Sequence, residues 1–171
     1  MTYSWLNKYT LYIAAFALLL LTAACQNQST PTPFDPVKQA EIDDQIIQDF
    51  LTKKGITATK TASGLYYVID STNTSGISPT SGQRVFVRYE GRFLDDAQTV
   101  FDQNLNSASD LSFIVGSGTV IKGFDEAVRI LRRGEQGRFF LPSGLGYGNS
   151  GNIAIRPNTC LQFMMRLNNV E

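Results

Sequence analysis

The segment that decides the fold is GTVIKGFDEAVRIL, at residues 118–131. Its apolar residues recur at i, i+3, i+4 and i+7, the spacing of one face of an α-helix; they are Phe124, Ala127, Val128 and Leu131. Acidic side chains come early and arginines come late, so the charges oppose the helix dipole. Gly134 stands where a left-handed helix terminus is expected. The pattern predicts an amphipathic helix with its terminus at Gly134.

Composition excludes several classes of function. Of the 171 residues, 43% are hydrophobic, which is enough for one ordinary domain. The 15 basic and 15 acidic residues cancel, so no electrostatic footprint for nucleic acid is visible. The chain has no histidine, which excludes serine–histidine and cysteine–histidine nucleophile pairs and histidine metal sites. We therefore expect no metal, no cofactor and no nucleic-acid partner.

From Gly64 onward the sequence is typical of β-strands. Short β-branched or aromatic segments are bounded by turn residues; they are GLYYVID, QRVFVRYEG, TVFD, LSFIVG, GRFFLP and the terminal run TCLQFMMRLNN. Many strands with one helix between them predict an α+β fold, in which an antiparallel sheet covers its apolar face with that helix.

The first 24 residues predict a lipoprotein signal peptide. The 16 residues from Tyr9 to Ala24 are mostly apolar, but they are fewer than the roughly 20 that span a bilayer. LTAAC, which ends at Cys25, resembles the bacterial lipobox, in which the cysteine is lipidated and becomes the first mature residue. A plain transmembrane anchor is the alternative. The lipoprotein interpretation places the protein in a bacterial cell envelope, facing the periplasm and anchored by lipid to the inner or outer membrane.

A spacer and a helix follow the lipidation site. Residues 25–36 include the polar, proline-rich QNQSTPTPFDP and predict a lipid-anchored flexible spacer. Residues 37–55 predict an amphipathic helix that Gly55 ends; its apolar stripe is Ile42, Ile46, Ile47, Phe50 and Leu51. This stripe either packs against the main domain or forms a dimer face or partner groove, so the oligomeric state is left open.

The second cysteine is interpreted as structural. The terminal run alternates with period two, which predicts a half-buried strand with Cys160 on the face opposite Phe163. If Cys25 carries lipid, Cys160 has no cysteine left to bridge. No histidine is present to activate its thiol.

Seven spaced motifs now combine. In chain order they are VRYEG, VFD, FIVG, VIKGF, RRGEQGRFFLP, GYG and RPNTCLQF. In this order they resemble the FKBP-type peptidyl-prolyl cis-trans isomerases, specifically exported lipoprotein members with an additional N-terminal helix. The resemblance covers residues 64–171, the predicted isomerase domain. It implies an FKBP-like antiparallel β-sheet wrapped around one short central α-helix, with an apolar pocket between them.

The resemblance also implies a set of site residues. Phe124 matches the pocket floor, and Asp102 matches the one carboxylate at the pocket edge. In the family the Ile121 main-chain N–H and the Tyr147 hydroxyl hold substrate carbonyls. The residues predicted as catalytic are Tyr89, Phe101, Asp102, Ile121, Phe124 and Tyr147. Those predicted to bind substrate are Phe113, Val120, Ile155 and Phe163.

The implied function is a prolyl isomerase that assists the folding of exported proteins, with proline-containing polypeptides as clients. The alternative is a non-catalytic peptide-binding or chaperone lipoprotein in an envelope complex, for example gliding machinery. The retained set of Phe101, Asp102, Phe124 and Tyr147 favours catalysis. The segment FLDDAQTVFD lacks the usual glycine turn before Phe101 and is one residue longer, and this altered hairpin favours the alternative.

Overall fold

The computed structural model describes residues 33–95 and 97–171. The predicted signal peptide, the lipidation site Cys25 and most of the predicted spacer lie outside these residues. The strands are β1 (Thr59–Lys60), β2 (Tyr66–Ser71), β3 (Arg84–Phe93), β4 (Val100–Gln103), β5 (Leu111–Ile114), β6 (Gln136–Leu141) and β7 (Leu161–Val170). The α-helices are α1 (Pro36–Lys54) and α2 (Lys122–Ile130), and a 3-10 turn spans Ser143–Leu145. In this part of the chain neither helix combines the length and apolar character that crossing a bilayer requires.

The strands form one antiparallel sheet. Their order is β1-β2-β6-β7-β3-β4, and β5 pairs with the remaining part of β3. The longest pairing joins β3 to β7 and places Tyr89 opposite Met165 and Gly91 opposite Phe163. The predicted α+β fold, with an antiparallel sheet around one short central helix and an additional N-terminal helix, is confirmed. The two-residue strand β1 was not predicted.

Helix α2 covers one face of the sheet. Phe124, Ala127 and Val128 are at most 4% exposed and belong to the main core cluster. At the start of the helix, a Cβ on Gly123 would lie 2.5 Å from Leu141 Cδ2. The absence of a side chain there lets the first helical turn approach β6 closely.

The predicted end of α2 at Gly134 is wrong. The helix stops at Ile130, and Leu131 is already extended, with φ −77° and ψ 148°. Leu131 nevertheless stays fully buried, so it completes the apolar stripe from outside the helix. The next residues bond to other parts of the fold: the Gly134 N–H donates to the Leu167 carbonyl oxygen at 2.6 Å. Tertiary hydrogen bonds therefore replace the helical ones, and the left-handed φ of Gly134, 90°, serves the turn into β6.

Helix α1 packs on the opposite face of the sheet. It begins at an Asp35 cap, which was not predicted and whose carboxylate accepts from two backbone N–H groups. It ends at Gly55 with φ 63°, as predicted. Successive residues of a strand point to opposite faces, and Phe139 joins the main cluster whereas Phe140 joins the cluster beneath α1. The helix contributes Ile47, Phe50 and Leu51 to that second cluster. Ile42 and Ile46 remain 45% and 40% exposed.

The start of β7 is buried on both faces, which differs from the predicted half-buried strand. Cys160 lies in the α1 cluster, and Phe163 lies in the main cluster, so the two are on opposite faces as predicted. The neighbouring Gln162 is also buried, at 7% exposure. The alternation of buried and exposed residues appears only further along the strand, from Met165 to Asn168.

Candidate active site

A cleft of about 450 Å³ opens between the N-terminal end of α2 and the sheet. Seven of the predicted site residues line it: Tyr89, Asp102, Val120, Ile121, Phe124, Tyr147 and Phe163. Leu111, Gly118 and Thr119 also line it, and these were not predicted as site residues. Residues from six separate segments of the chain therefore meet at the corner where the chain enters α2.

Aromatic rings form the floor of the cleft. The Phe124 ring is 4% exposed, and two cleft rings meet it edge-on. The Tyr89 ring lies 5.3 Å away at 89°, and the Phe163 ring lies 5.4 Å away at 88°. Edge-to-face pairs at these distances place the positive edge of one ring on the negative face of the other. The floor is therefore apolar and held in one arrangement by mutual ring contacts.

Three predicted site residues do not line the cleft, and two of them support its floor through ring contacts. The Phe101 ring packs edge-on against Phe163 with centroids 5.6 Å apart, and the Phe113 ring packs against Phe124 at 5.9 Å. Ile155 is 2% exposed within the main core cluster. A two-residue period predicts which face of a strand a side chain occupies, but not how deep it lies behind that face.

A hydrogen bond closes the rim of the cleft. The Tyr89 hydroxyl donates to Asp102 Oδ2 at 2.7 Å. Asn104, which was not predicted, holds the backbone beneath this pair: its Oδ1 accepts from the Tyr89 N–H at 2.8 Å, and its Nδ2 donates to the Val87 carbonyl oxygen at 2.9 Å. The sequence carries one signal for such a bond: Asn104 directly follows a short strand, and asparagine side chains readily hydrogen-bond to nearby backbone groups.

The loop that carries Tyr147 is hydrogen-bonded along its length. The Gly146 and Gly148 N–H groups both donate to the Ser143 carbonyl oxygen, at 2.9 and 2.8 Å. The Tyr147 carbonyl oxygen accepts from the Gly151 N–H at 3.1 Å. These bonds fix the backbone on both sides of the Tyr147 ring.

Ile121 occupies the corner before α2. Its φ of −60° and ψ of 149° are extended, and its carbonyl oxygen accepts from the Phe124 and Asp125 N–H groups. As the residue that precedes the helix, Ile121 holds its own N–H outside the helical hydrogen-bond ladder.

The altered hairpin uses a residue other than glycine at its turn. Gln98 adopts a left-handed φ of 51°. Its side chain donates to the Phe93 carbonyl oxygen at 3.1 Å, and the Phe93 N–H donates to the Thr99 carbonyl oxygen at 3.0 Å. The side-chain bond offsets part of the cost of left-handed backbone in a residue with a Cβ.

Both cleft tyrosines remain protonated well above neutral pH. Burial raises the pKa of Tyr89, and the hydrogen bond to Asp102 raises it further. Burial also raises the pKa of Tyr147, and the negative charge of Asp102 adds to that effect. Each hydroxyl therefore keeps its proton as a hydrogen-bond donor: that of Tyr89 is given to Asp102, and that of Tyr147 faces the cleft.

Comparison with known proteins identifies the family. Residues 76–168 match the family model described as FKBP-type peptidyl-prolyl cis-trans isomerase. The chain belongs to this family. The FKBP match covers β3 to β6, the whole of α2 and all but the last two residues of β7, so every residue that lines the cleft falls within it.

Named FKBP relatives agree with this membership. The chain is 34% identical to the probable FKBP-type peptidyl-prolyl cis-trans isomerase FkpA of Neisseria meningitidis, over 78% of this chain and 47% of that one. It is 37% identical to the peptidyl-prolyl cis-trans isomerase Fkbp12 of Drosophila melanogaster, over 54% of this chain and 85% of that one. The crystal structure of a peptidyl-prolyl cis-trans isomerase from Pseudomonas syringae superposes with a TM-score of 0.64 at 28% identity, covering 82% of this chain and 98% of that one.

The match to several relatives is partial. The chain spans between 7% and 47% of the length of the first curated relatives it matches. The matched segment is therefore only a part of each of those longer proteins.

Proposed function

We propose that this chain is a peptidyl-prolyl cis-trans isomerase that binds proline-containing polypeptides in the cleft above Phe124. The observation that carries the proposal is the chemistry of that cleft. Its floor consists of buried aromatic rings, and Asp102 is the one charged residue among the described residues that line it. Such a site suits the binding of an apolar proline ring and the twisting of an amide.

The reaction needs no nucleophile. An Xaa-Pro bond isomerises over a barrier of roughly 18–20 kcal/mol because amide resonance is lost when the bond twists. The planar amide is more polar than the twisted transition state, so water stabilises the planar form more. The Phe124 and Phe163 rings, 4% and 3% exposed, exclude water from the floor of the cleft and remove that bias. Each lowering of the barrier by about 1.4 kcal/mol gives a tenfold acceleration.

Orientation of the substrate chain is the second contribution to the acceleration of isomerisation. The Tyr147 hydroxyl stands at the cleft as a protonated donor, and the Ile121 N–H lies at its corner outside the helical ladder. In the proposed mechanism these two donors hold carbonyl oxygens of the substrate chain, so that twisting is confined to the prolyl bond. The Tyr89 hydroxyl is engaged by Asp102, which holds the aromatic wall in place.

The experiment that tests this function is exchange NMR on a short Xaa-Pro peptide, with the full chain purified in a mild detergent. We expect acceleration by the wild-type chain and a loss of about tenfold in kcat/KM for Tyr147→Phe, because one oriented donor is removed. Tyr67→Phe is the matched control, since Tyr67 stacks on Phe139 away from the cleft lining. Equal rates for Tyr147→Phe and wild type would remove Tyr147 from the mechanism.

A non-catalytic peptide-binding or chaperone protein is the second candidate. The observation that favours it is the β3–β4 hairpin, where Gln98 occupies a left-handed turn position in place of the usual glycine. Peptide binding by the wild-type chain without acceleration of isomerisation would assign this function instead.

We propose further that lipid on Cys25 anchors the protein in a bacterial cell envelope, where exported polypeptides are its clients. The support is the LTAAC segment behind an apolar run. Labelling with radioactive fatty acid tests it: the wild-type chain is expected to incorporate label and Cys25→Ser is not. Cys160→Ser is the matched control, because that thiol is buried and its loss should leave labelling unchanged.

A further inference from the structure

A buried carboxylate of α1 contacts the loop that carries Tyr147. Asp43 is 1% exposed. Its Oδ2 accepts from the Ser143 N–H at 2.8 Å and from the Ser143 hydroxyl at 2.6 Å. Its Oδ1 accepts from Gln39 Nε2 at 2.8 Å, one helical turn earlier. Both carboxylate oxygens are therefore engaged, one by the helix and one by the loop.

The bonds continue from Ser143 to the cleft. The Ser143 carbonyl oxygen is the common acceptor for the Gly146 and Gly148 N–H groups, the residues on either side of Tyr147. Asp43 fixes the amide and hydroxyl ends of Ser143, and Ser143 fixes the backbone that presents the Tyr147 ring. This hydrogen-bonded path from α1 to the loop of Tyr147 thus runs through Ser143.

The position of Asp43 is held from a second direction. The Cys160 thiol donates to the Asp43 carbonyl oxygen at 3.8 Å, at the start of the chain segment that leads into β7. The helical turn around Asp43 is therefore attached both to the sheet and to the 3-10 turn. Burying a carboxylate costs folding free energy unless hydrogen-bond donors satisfy it, so losing these hydrogen bonds destabilises the protein more than losing hydrogen bonds at an exposed position.

We propose that Asp43 is a positioning residue for prolyl isomerisation, which holds Tyr147 in the cleft through Ser143. The inference rests on the proposed isomerase function and extends it to α1, which lies outside the residues that match the family model. Helix α1 is then part of the support of the active site as well as a cover for the sheet.

The test compares variants of two carboxylates on the same helix. Asp49 accepts from Gln45 Nε2 at 2.7 Å, the same i,i+4 arrangement that Asp43 has with Gln39, but Asp49 is exposed. Asp49→Ala is therefore the matched control for Asp43→Ala. Asp43→Asn is the conservative variant, because its amide oxygen still accepts from Ser143. Ser143→Ala removes only the hydroxyl hydrogen bond, and it replaces Asp43→Ala as the test variant if Asp43→Ala does not fold.

The readouts are kcat and KM for an Xaa-Pro peptide and the amide hydrogen exchange of Gly146 and Gly148, measured on the full chain in detergent. We expect Asp43→Ala to lower kcat/KM about tenfold, mainly through kcat, because the aromatic floor is intact while the donor is misplaced. Exchange at Gly146 and Gly148 should accelerate by about tenfold, whereas exchange at Met165 in β7 stays unchanged. Asp43→Asn should recover most of the activity, and Ser143→Ala should show a smaller loss than Asp43→Ala.

Two results would overturn the inference. One is wild-type activity in Asp43→Ala despite faster exchange at Gly146 and Gly148. The other is an equal loss of activity in Asp43→Ala and Asp49→Ala. The exchange measurement does not depend on turnover, so its outcome separates the two proposals. An inactive wild-type chain would reject the isomerase function, while faster exchange at these glycines in Asp43→Ala would still support the role of Asp43 in holding the loop.

Discussion

The Tyr89 hydroxyl and the Asp102 carboxylate lie 2.7 Å apart across the β3–β4 pair, although Asp102 is directly opposite Gly91. The two side chains are therefore a diagonal pair on one face of the sheet, where long side chains can still meet. Because Gly91 carries no side chain, the ring of Phe101 occupies the space above it. One glycine thus allows the ring contacts behind the cleft, directly beside the rim hydrogen bond.

Stability at alkaline pH should depend on Tyr89. Burial and the bond to Asp102 raise the pKa of Tyr89 in the folded protein above its ordinary value of 10.0. The stabilisation of the folded protein by protonated Tyr89 is therefore fully present below pH about 10. It is lost as the pH rises through the raised pKa of the folded state. We expect the urea midpoint of Tyr89→Phe to fall less than that of wild type between pH about 9 and about 11. Identical slopes would contradict the assignment.

A methyl group at position 91 should disturb the wall of the cleft. A Cβ on Gly91 would lie 2.6 Å from Phe101 Cζ and 2.9 Å from Phe163 Cε1. We expect Gly91→Ala to lower the free energy of unfolding by about 1–3 kcal/mol and to reduce peptide affinity, because two rings must shift. Gly144→Ala is the control, since nothing lies within 4 Å of its Cβ position. Chemical denaturation of both variants measures the difference, and equal stabilities would contradict this account.

The buried carboxylate of Glu135 should be essential to the turn after α2. It is 6% exposed and accepts from the Asn73 N–H at 2.8 Å and the Arg132 N–H at 2.9 Å. We expect Glu135→Ala to lower the free energy of unfolding by about 2–4 kcal/mol, because two backbone donors lose their acceptor. Glu41→Ala, on the exposed side of α1, should change it by less than about 0.5 kcal/mol. A loss in Glu135→Ala no larger than in this control would show that solvent satisfies both donors.

Acid should weaken the attachment of α1 through Asp44. Partial burial would raise the pKa of Asp44, but hydrogen bonds from Lys60 and Tyr66 outweigh it and hold the pKa below 3.8. The stabilisation is therefore present above pH about 4 and is lost as the pH falls through the lowered folded value. We expect Asp44→Asn to be less stable than wild type at neutral pH, and the difference to shrink progressively as the pH falls below about 4.

Thermal unfolding as a function of pH measures this effect. Asp49→Asn reports the loss of an exposed carboxylate from the same helix and serves as the control. A difference between wild type and Asp44→Asn that persists unchanged at acid pH would reject the role of this ion pair.

Local patterns predicted most of the fold. The strand segments around Val85 and Leu167 place core residues at every second position because one face of each packs in the main core cluster, and that alternation is visible without a structure. The C-terminal end of α1 was equally local: Gly55 ends the helix where a left-handed backbone is needed.

The features that were missed depend on distant partners. The end of α2 is set by acceptors on other segments, such as the Ile77 carbonyl oxygen for the Arg133 N–H. The clamp of Asn104 on Val87 joins residues that only the folded hairpin brings together. The ring of Phe101 lies behind Phe163 because Gly91 leaves room for it. The two-residue period of a strand shows which face a side chain occupies but not how deep it lies.

The sheet order has a consequence for any shortened form of the protein. Strand β2 precedes the region that matches the family model, yet it pairs with β6 from Tyr66 opposite Phe140 to Ser71 opposite Gln136. A fragment confined to residues 76–168 would leave the β6 edge open, with unpaired backbone groups beside apolar side chains. Such edges recruit strands from other molecules. A chain cut at the boundary of the family match is therefore expected to self-associate and aggregate, and a soluble fragment has to retain β2.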